Sequence, residues 1–239
     1  MFVICNGMPR SASTWSFRVV VELLERQCPG ELIHKGYSQN PVQFTKAAPA
    51  GVRHVVMKSH PLTPLGRNLL RVGAVKVIYT WRDLADAVVS GLETFARGGA
   101  TFDIFLESFD EALEVLAFHR REGMALEVGY ADVMADARGQ VERIARHLWP
   151  QGAPAKTVDE VCAATSMDAA ERRVAEVNGV ADEQLVLGLH SRFDPGTLFH
   201  RHHLNGGEQG KGRARLSAEQ LEALERLREK HGFRDLTLA

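Results

Sequence analysis

The chain has 239 residues, 45% of them apolar and 25% charged, with a formal net charge of -1. That suits a soluble chain with one sizeable α/β core, leaves one or two domains open, and argues against a strongly electrostatic nucleic-acid binder. Cys5, Cys28 and Cys162 have neither metal-ligand nor disulfide-framework spacing, and no apolar window approaches the roughly 18 residues of a membrane helix, so a cytoplasmic protein is expected.

Phe2–Gly7 is an apolar β-type run, broken at Asn6-Gly7 and without the basic lead-in of a signal peptide. The polar turn Met8–Trp15 follows and opens an apolar helical pattern through Leu24. A helix N-terminus at Ser11–Thr14 presents unpaired amides and the positive end of the helix dipole, which suits an anion. Set against the Walker A pattern, Gly7 and Thr14 fall in place, Ala12 replaces the second Gly, and Ser13 replaces the Lys that reaches a terminal phosphate. The loop is shaped for phosphate but not for ATP or GTP; the plainer alternative is an ordinary βα turn with a Ser/Thr cap.

Pro29-Gly30 marks a turn, and Leu32–His34 forms a short strand. Residues 35–51 read as loop with one helical turn near Val42–Lys46. His54–Lys58 is a buried strand that runs into Ser59-His60-Pro61, where Pro61 keeps His60 out of a helix. Pro64–Val72 is helical, and Ala74–Thr80 is the next strand. After Trp81-Arg82-Asp83 a helix starts near Leu84, with Val88, Val89, Leu92 and Phe95 on one face, and Gly98-Gly99 ends it. Further helices cover Phe102–Glu122, Ala137–Leu148, Thr157–Ala164 and Ala169–Val177; a short strand at Ala125–Val128 leads to Tyr130-Ala131-Asp132. Residues 188–215, rich in Gly, His and Arg, read as an ordered functional loop or lid. Ser217–His231 is a final helix capped by Ser217.

Strands alternating with helices imply an α/β fold of three layers, a central mostly parallel sheet flanked by helices. In such folds ligands bind at the carboxyl ends of the strands. Met8–Trp15, Ser59–His60, Trp81–Asp83 and Tyr130–Asp132 therefore share one rim. The rim offers a helix N-terminus, Arg10, Lys58, His60, Arg82 and Ser90, a site for a polyanion beside a general base. Singly, His60 would do no more than end a strand, Arg82-Asp83 would be a surface pair, Lys58 would be solvated and Trp15 would be core. Their conjunction at strand ends favours the site.

These residues resemble the sulfotransferases that use 3′-phosphoadenosine-5′-phosphosulfate (PAPS), in the manner of a small, bacterial-type member. Pro9-Arg10-Ser11-Ala12-Ser13-Thr14-Trp15 matches the family's Pro-Lys-Ser-Gly-Thr-Thr-Trp, and Lys58-Ser59-His60 its Lys-Thr-His. An apolar strand, Arg82-Asp83 and then Ser90, eight residues beyond the Arg, match its second signature. Tyr130-Ala131-Asp132 and Thr165-Ser166-Met167 correspond to Tyr-Glu-Asp and Thr-Ser-Phe, and Asn205–Arg213 is a degraded form of its late Gly-rich basic motif.

The resemblance implies a P-loop NTPase-like sulfotransferase fold in a single domain, 1–239. Residues 188–215 would cover the site, and 217–231 would form the C-terminal helix. It implies an enzyme that moves a sulfuryl group from PAPS to a hydroxyl or amine of a small-molecule acceptor, without a metal, and releases 3′,5′-adenosine bisphosphate. Arg10, Ser11, Ala12, Ser13 and Thr14 would hold the 5′-phosphosulfate. Trp15 would stack on adenine near Tyr130 and Thr165. Arg82 and Ser90 would bind the 3′-phosphate, helped by Asn205, Gly206 and Gly207. His60 would be the general base, and Lys58 would stabilise charge on the sulfuryl group.

Three departures matter. Arg10 replaces a Lys; it can steady a leaving phosphate but is a poor proton donor. Ala12 replaces a Gly, which calls for a loop without positive φ there. Asn205 and Gly206 replace a basic pair, a loss that His202, His203 or Lys211 would have to offset. The run His200, His202, His203 fits no strong metal template. A nucleotide or small-molecule kinase of related fold and a non-catalytic nucleotide- or polyanion-binding protein are the alternatives. Neither nucleic acid nor membrane is an expected partner. A homodimer stays open, since the family's dimer motif is not recognisable after Arg213. The acceptor would meet residues 35–51, 97–105 and 188–205.

Overall fold

Five short runs pair side by side, apolar and buried in the middle of the sheet and more polar at the edge run Ile33–Tyr37. They are β1 (Phe2–Gly7), β2 (Ile33–Tyr37), β3 (His54–Ser59), β4 (Lys76–Trp81) and β5 (Leu126–Gly129), in the order β2-β3-β1-β4-β5, with every pairing parallel. The structure, a computed structural model, describes residues 1–95, 98–188, 191–201, 204 and 207–233.

The helices that bear on the site or the core are α1 (Ser13–Gln27), α2 (Pro41–Lys46), α3 (Pro64–Arg71), α4 (Leu84–Phe95), α5 (Phe102–Glu122), α6 (Tyr130–Ala135), α7 (Ala137–Leu148), α8 (Ala155–Ala164), α9 (Met167–Asn178), α10 (Lys211–Arg215) and α11 (Ala218–Lys230). Side chains alternate across a strand, so β1 sends Val3 and Cys5 to one face and Ile4 to the other. The first face packs under α1, α7 and α8 through Phe17, Leu23, Ile144 and Val161. The second packs under α3, α4, α5 and α11 through Leu70, Val88, Leu113 and Leu224. Among the described residues, no helix is long and apolar enough to cross a membrane.

Local polarity misplaces a few boundaries. β2 runs on to Tyr37, beyond the predicted Leu32–His34, because Gly36 and Tyr37 pair with Met57 and Lys58 of β3. α8 begins directly after Pro154 rather than at Thr157, and α9 begins at Met167, where Ser166 caps it through the Ala169 amide. The predicted loop 188–215 contains part of a small antiparallel pair, β6 (Val186–Leu187) with β7 (Arg192–Phe193), and also α10.

The topology positions the site. β1 lies between β3 and β4, so the chain leaves it to one side first and to the other later, and the carboxyl ends of the three diverge into a crevice. Registry brings Cys5 beside Lys58 and Ile78, and Gly7 beside Thr80. The turns after β1, β3 and β4 therefore open at one level.

Candidate active site

The first turn is built by close approach. A Cβ at Gly7 would lie 2.1 Å from Thr80 Oγ1 and 2.8 Å from the Thr80 carbonyl oxygen, so only glycine fits between β1 and β4. The Ser11 hydroxyl faces inward, 2.7 Å from the Met8 carbonyl and 2.7 Å from Thr80 Oγ1, which leaves only the Ser11 backbone toward the crevice. The expectation for Ala12 is overturned: its φ is 70°, and that of Arg10 is 62°. Both lie in the left-handed region, because the chain must reverse between β1 and α1 within a few residues. For a residue with a Cβ this costs about 1–2 kcal/mol. Ala12→Gly should therefore stabilise the protein by about 0.5–1 kcal/mol, once glycine's greater unfolded-state freedom is subtracted. Thermal denaturation tests this, and an unchanged or lower midpoint would contradict it.

Ala12 is also the N-cap of α1 and offers no side-chain cap. By contrast α2, α3, α5, α7, α9 and α11 each have an Asn, Thr, Asp or Ser side chain on a first-turn amide. The first turn of α1, with the Ser13 and Thr14 side chains, faces the cavity described below.

β3 delivers the second element. The Asn6 amide group donates to the carbonyls of Ser59 (2.9 Å) and His60 (2.8 Å) and so pins the chain as it leaves the sheet. His60 Nδ1 lies 2.7 Å from the Gly7 carbonyl, which can only accept, so the Nδ1 nitrogen carries the proton. In the neutral ring Nε2 then holds a lone pair, and Lys58 Nζ donates to it at 3.3 Å. Burial, and next the Lys58 charge, push His60 down to about 3. Burial and then Arg10 bring the Lys58 ammonium down to about 8. At neutral pH the pair is an unprotonated imidazole beside an ammonium.

The third element follows β4. Arg82 is 5% exposed and its guanidinium sits 3.9 Å over the Tyr130 ring. One terminal nitrogen donates to the Glu208 carbonyl at 2.7 Å, while Nε has no partner. Asp86 does not neutralise Arg82 closely, at 3.9 Å. Its oxygens instead accept the amides of Gly210 (2.7 Å) and Gly212 (2.8 Å), which clasps α10 to α4. A Cβ at Gly212 would lie 2.3 Å from the Ala85 carbonyl carbon, so the clasp depends on that glycine. Ser90, one turn further along α4, accepts from Arg10 Nε at 3.1 Å. Lys211 is buried and paired to Glu93 at 2.5 Å.

All of this faces one cavity of about 440 Å³. Its wall contains Arg10–Trp15, Lys58, His60, Arg82, Ser90, Tyr130, Thr165 and Gly207, brought together from every part of the chain. Trp15 is half-buried; it lines the cavity and also packs on the core below. Asn205, Gly206, His202 and His203 lie outside the described residues.

Three lining residues with Arg or His side chains lie outside the predicted site. Arg18 stands four residues after Thr14 on α1, a spacing that puts both on one face and could have flagged it. It is 7% exposed, pairs with Glu22, and keeps an unpartnered Nε. Arg173 reaches the cavity from α9, and nothing local in the sequence signals this. His200 packs against Phe95 and Phe193, bonds Ser191 Oγ through Nδ1 at 2.6 Å, and is pushed down to about 3 by burial and then by Lys58 and Arg10.

No family model matches the sequence, and no curated protein matches it by sequence. Solved structures do. Mouse sulfotransferase SULT7A1 complexed with PAP aligns with a TM-score of 0.68 at 15% identity, over 96% of this chain and 84% of that one. The fold is that of the sulfotransferases. Retinol dehydratase, in complex with androsterone and the inactive cofactor PAP, aligns with a TM-score of 0.63 at 16% identity, over 100% of this chain and 82% of that one. Its complex with retinol and PAP gives 0.59 at 17% identity with the same coverage. At such identities the likeness shows the sulfotransferase fold and leaves the chemistry to the site residues.

Proposed function

We propose that the protein is a PAPS-dependent sulfotransferase, one domain over residues 1–239, acting on a hydroxyl or amine of a small molecule. The observation that carries this reading is His60: proton on Nδ1, lone pair on Nε2, Lys58 beside it, on the wall of a cavity opened by the uncapped N-terminus of α1. The residues present fit the donor. Ser13 stands where a nucleoside triphosphate would need a Lys, and the unpartnered Nε of buried Arg82 suits an anionic group. PAP in SULT7A1 and retinol dehydratase supports an adenosine bisphosphate here, and retinol or androsterone beside it supports a small-molecule acceptor.

When bound, PAPS supplies a sulfuryl group on an anionic leaving phosphate. The α1 amides, with the Ser13 and Thr14 hydroxyls, hold that end, and Arg82 with Ser90 holds the 3′-phosphate. Trp15, with Tyr130 and Thr165 near it, flanks the base, and Gly207 closes on it from the C-terminal segment. His60 Nε2 would take the proton of the acceptor's hydroxyl or amine, leaving that atom free to receive the sulfuryl group that PAPS would supply, with the adenosine bisphosphate as leaving group. Lys58 offsets the moving negative charge, so the site works chiefly by positioning and fixed charge. Burial first, and then the Lys58 charge, depress this base to about 3, and a bound polyanion offsets the Lys58 part.

Calorimetric titration tests the reading: 3′,5′-adenosine bisphosphate should bind and ATP should not. ATP binding without the bisphosphate would favour a kinase and refute the proposal. Bisphosphate binding with no transfer in an acceptor screen with labelled PAPS would leave a binding protein. Arg82→Gln should weaken the bisphosphate by about 10- to 100-fold, the worth of a charged hydrogen bond. An unaltered dissociation constant would remove Arg82 from the site.

A further inference from the structure

Cys28-Pro29-Gly30-Glu31 turns the chain from α1 toward β2. The Glu31 amide donates to the Cys28 carbonyl at 3.1 Å, and Gly30 has the positive φ of 80° that a type II turn needs at its third position. The first and last residues of the turn are thereby brought close. β2 pairs with β3, and the register sets Ile33 opposite His54, the first residue of β3. Three donors meet at this corner: Cys28 Sγ, a Glu31 carboxylate oxygen and a ring nitrogen of His54 all lie within 4.8 Å of one another. We infer that Cys28, Glu31 and His54 form a zinc site with one open coordination position.

The donor chemistry selects the ion. Magnesium and calcium take oxygen ligands, whereas a set of sulfur, imidazole nitrogen and carboxylate suits zinc. Bonds of about 2.0–2.3 Å in a tetrahedron put ligand atoms about 3.3–3.7 Å apart. Glu31 Oε2 now stands 2.7 Å from His54 Nε2, and no pair is farther off than 4.8 Å, so a shift of about 1 Å completes the set. His54 is 8% exposed and held on a strand, which fixes one ligand in advance. Glu31 is exposed and Cys28 half-buried, so both can rotate onto the ion. Cys28 and Glu31 have the two-residue gap of a zinc-binding pair. The cysteines alone are spaced too widely, and only the sheet supplies the histidine. None of the three lines the nucleotide cavity, which opens beyond Lys58 at the other end of β3. The ion would therefore take no part in group transfer. It would tie the end of α1 to the start of β3 and favour the folded chain, because unfolding scatters its ligands. As the zinc–sulfur bond forms, the Cys28 proton leaves to solvent.

Cobalt(II), a coloured stand-in for zinc, tests the site on the intact, reduced chain. It should give the thiolate-to-cobalt charge-transfer band, and zinc, the tighter binder, should erase it. Cys28→Ser should abolish the band, while Cys162→Ser, at the other partly exposed thiol, should leave it unchanged. In competition with a chelating dye, Glu31→Gln and His54→Gln should each weaken zinc by at least about 10-fold, the cost of losing even an outer partner of a metal site. Zinc should raise the thermal midpoint of the wild type and not that of Cys28→Ser. If buried His54→Gln does not fold, the two substitutions in the surface turn decide. Wild type without the band overturns the inference, as do a band that survives Cys28→Ser and a zinc affinity unchanged in Glu31→Gln.

Discussion

Replacing His60 with Asn lowers turnover by about 10²- to 10⁴-fold, the usual contribution of a positioned general base, and leaves bisphosphate affinity within a few-fold of wild type. The Asn amide can still donate to the Gly7 carbonyl, as Nδ1 does now at 2.7 Å, so the loop keeps its anchor and only the Nε2 lone pair is lost. The same pair predicts the alkaline limb of the rate profile. Lys58 gives up its proton near pH 8, so kcat/KM should fall above that pH as the cation beside the transferring group disappears. Labelled PAPS with an acceptor found by screening provides the assay. Wild-type turnover in His60→Asn would exclude His60 as the base, whatever the fate of the donor reading.

As pH falls from 7 to 5 the free protein should lose stability, by about 2 kcal/mol in all for each histidine the fold keeps neutral, most of it below pH 6.5 where the slope approaches about 1.4 kcal/mol per pH unit. His60 and His200 are held near 3 and His119 near 4, in each case chiefly by burial. The unfolded chain takes up protons on these rings from about 6.5 downward, and the native state refuses them until 3–4. The contribution is therefore complete above pH 6.5 and is lost as pH falls toward 4. His119 is the firmest case: 1% exposed, between Tyr79 and Phe118, with Nδ1 unpartnered. Asn6 Nδ2 is spent on carbonyls, so its oxygen faces His119 Nε2 at 3.4 Å as an acceptor, and a second proton on the ring would have no partner. Urea midpoints at pH 7, 6 and 5 measure the effect in a window where ordinary carboxylates stay ionised. His119→Gln should flatten the slope. Equal stabilities at pH 7 and 5 would mean that the three rings are open to water in the native state.

What could be read in advance divides along a physical line. Strand ends are marked locally, by Asn6-Gly7, by Pro61 after His60 and by Arg82-Asp83 after an apolar run, and the parallel sheet then brings them together. Side-chain direction is not marked locally. The fold needs a reversal at Ala12 that composition does not announce, and the positive φ of Arg10 sends its guanidinium to Ser90, eighty residues away in the chain. Arg173 and His200 reach the cavity only through the packing of α9 and of the segment after β7. Arg18 lay within reach of helical spacing, since α1 places it on the face of Thr14.

The clasp of Asp86 onto the Gly210 and Gly212 amides, with the Glu208 carbonyl on Arg82, joins positions separated by 124 to 126 residues. All five sheet strands precede residue 130, so during synthesis the sheet can assemble while the segment that braces α4 is still being made. A nascent chain would thus acquire its sheet well before the clasp that fastens α10 to α4 and brings the Glu208 carbonyl onto Arg82.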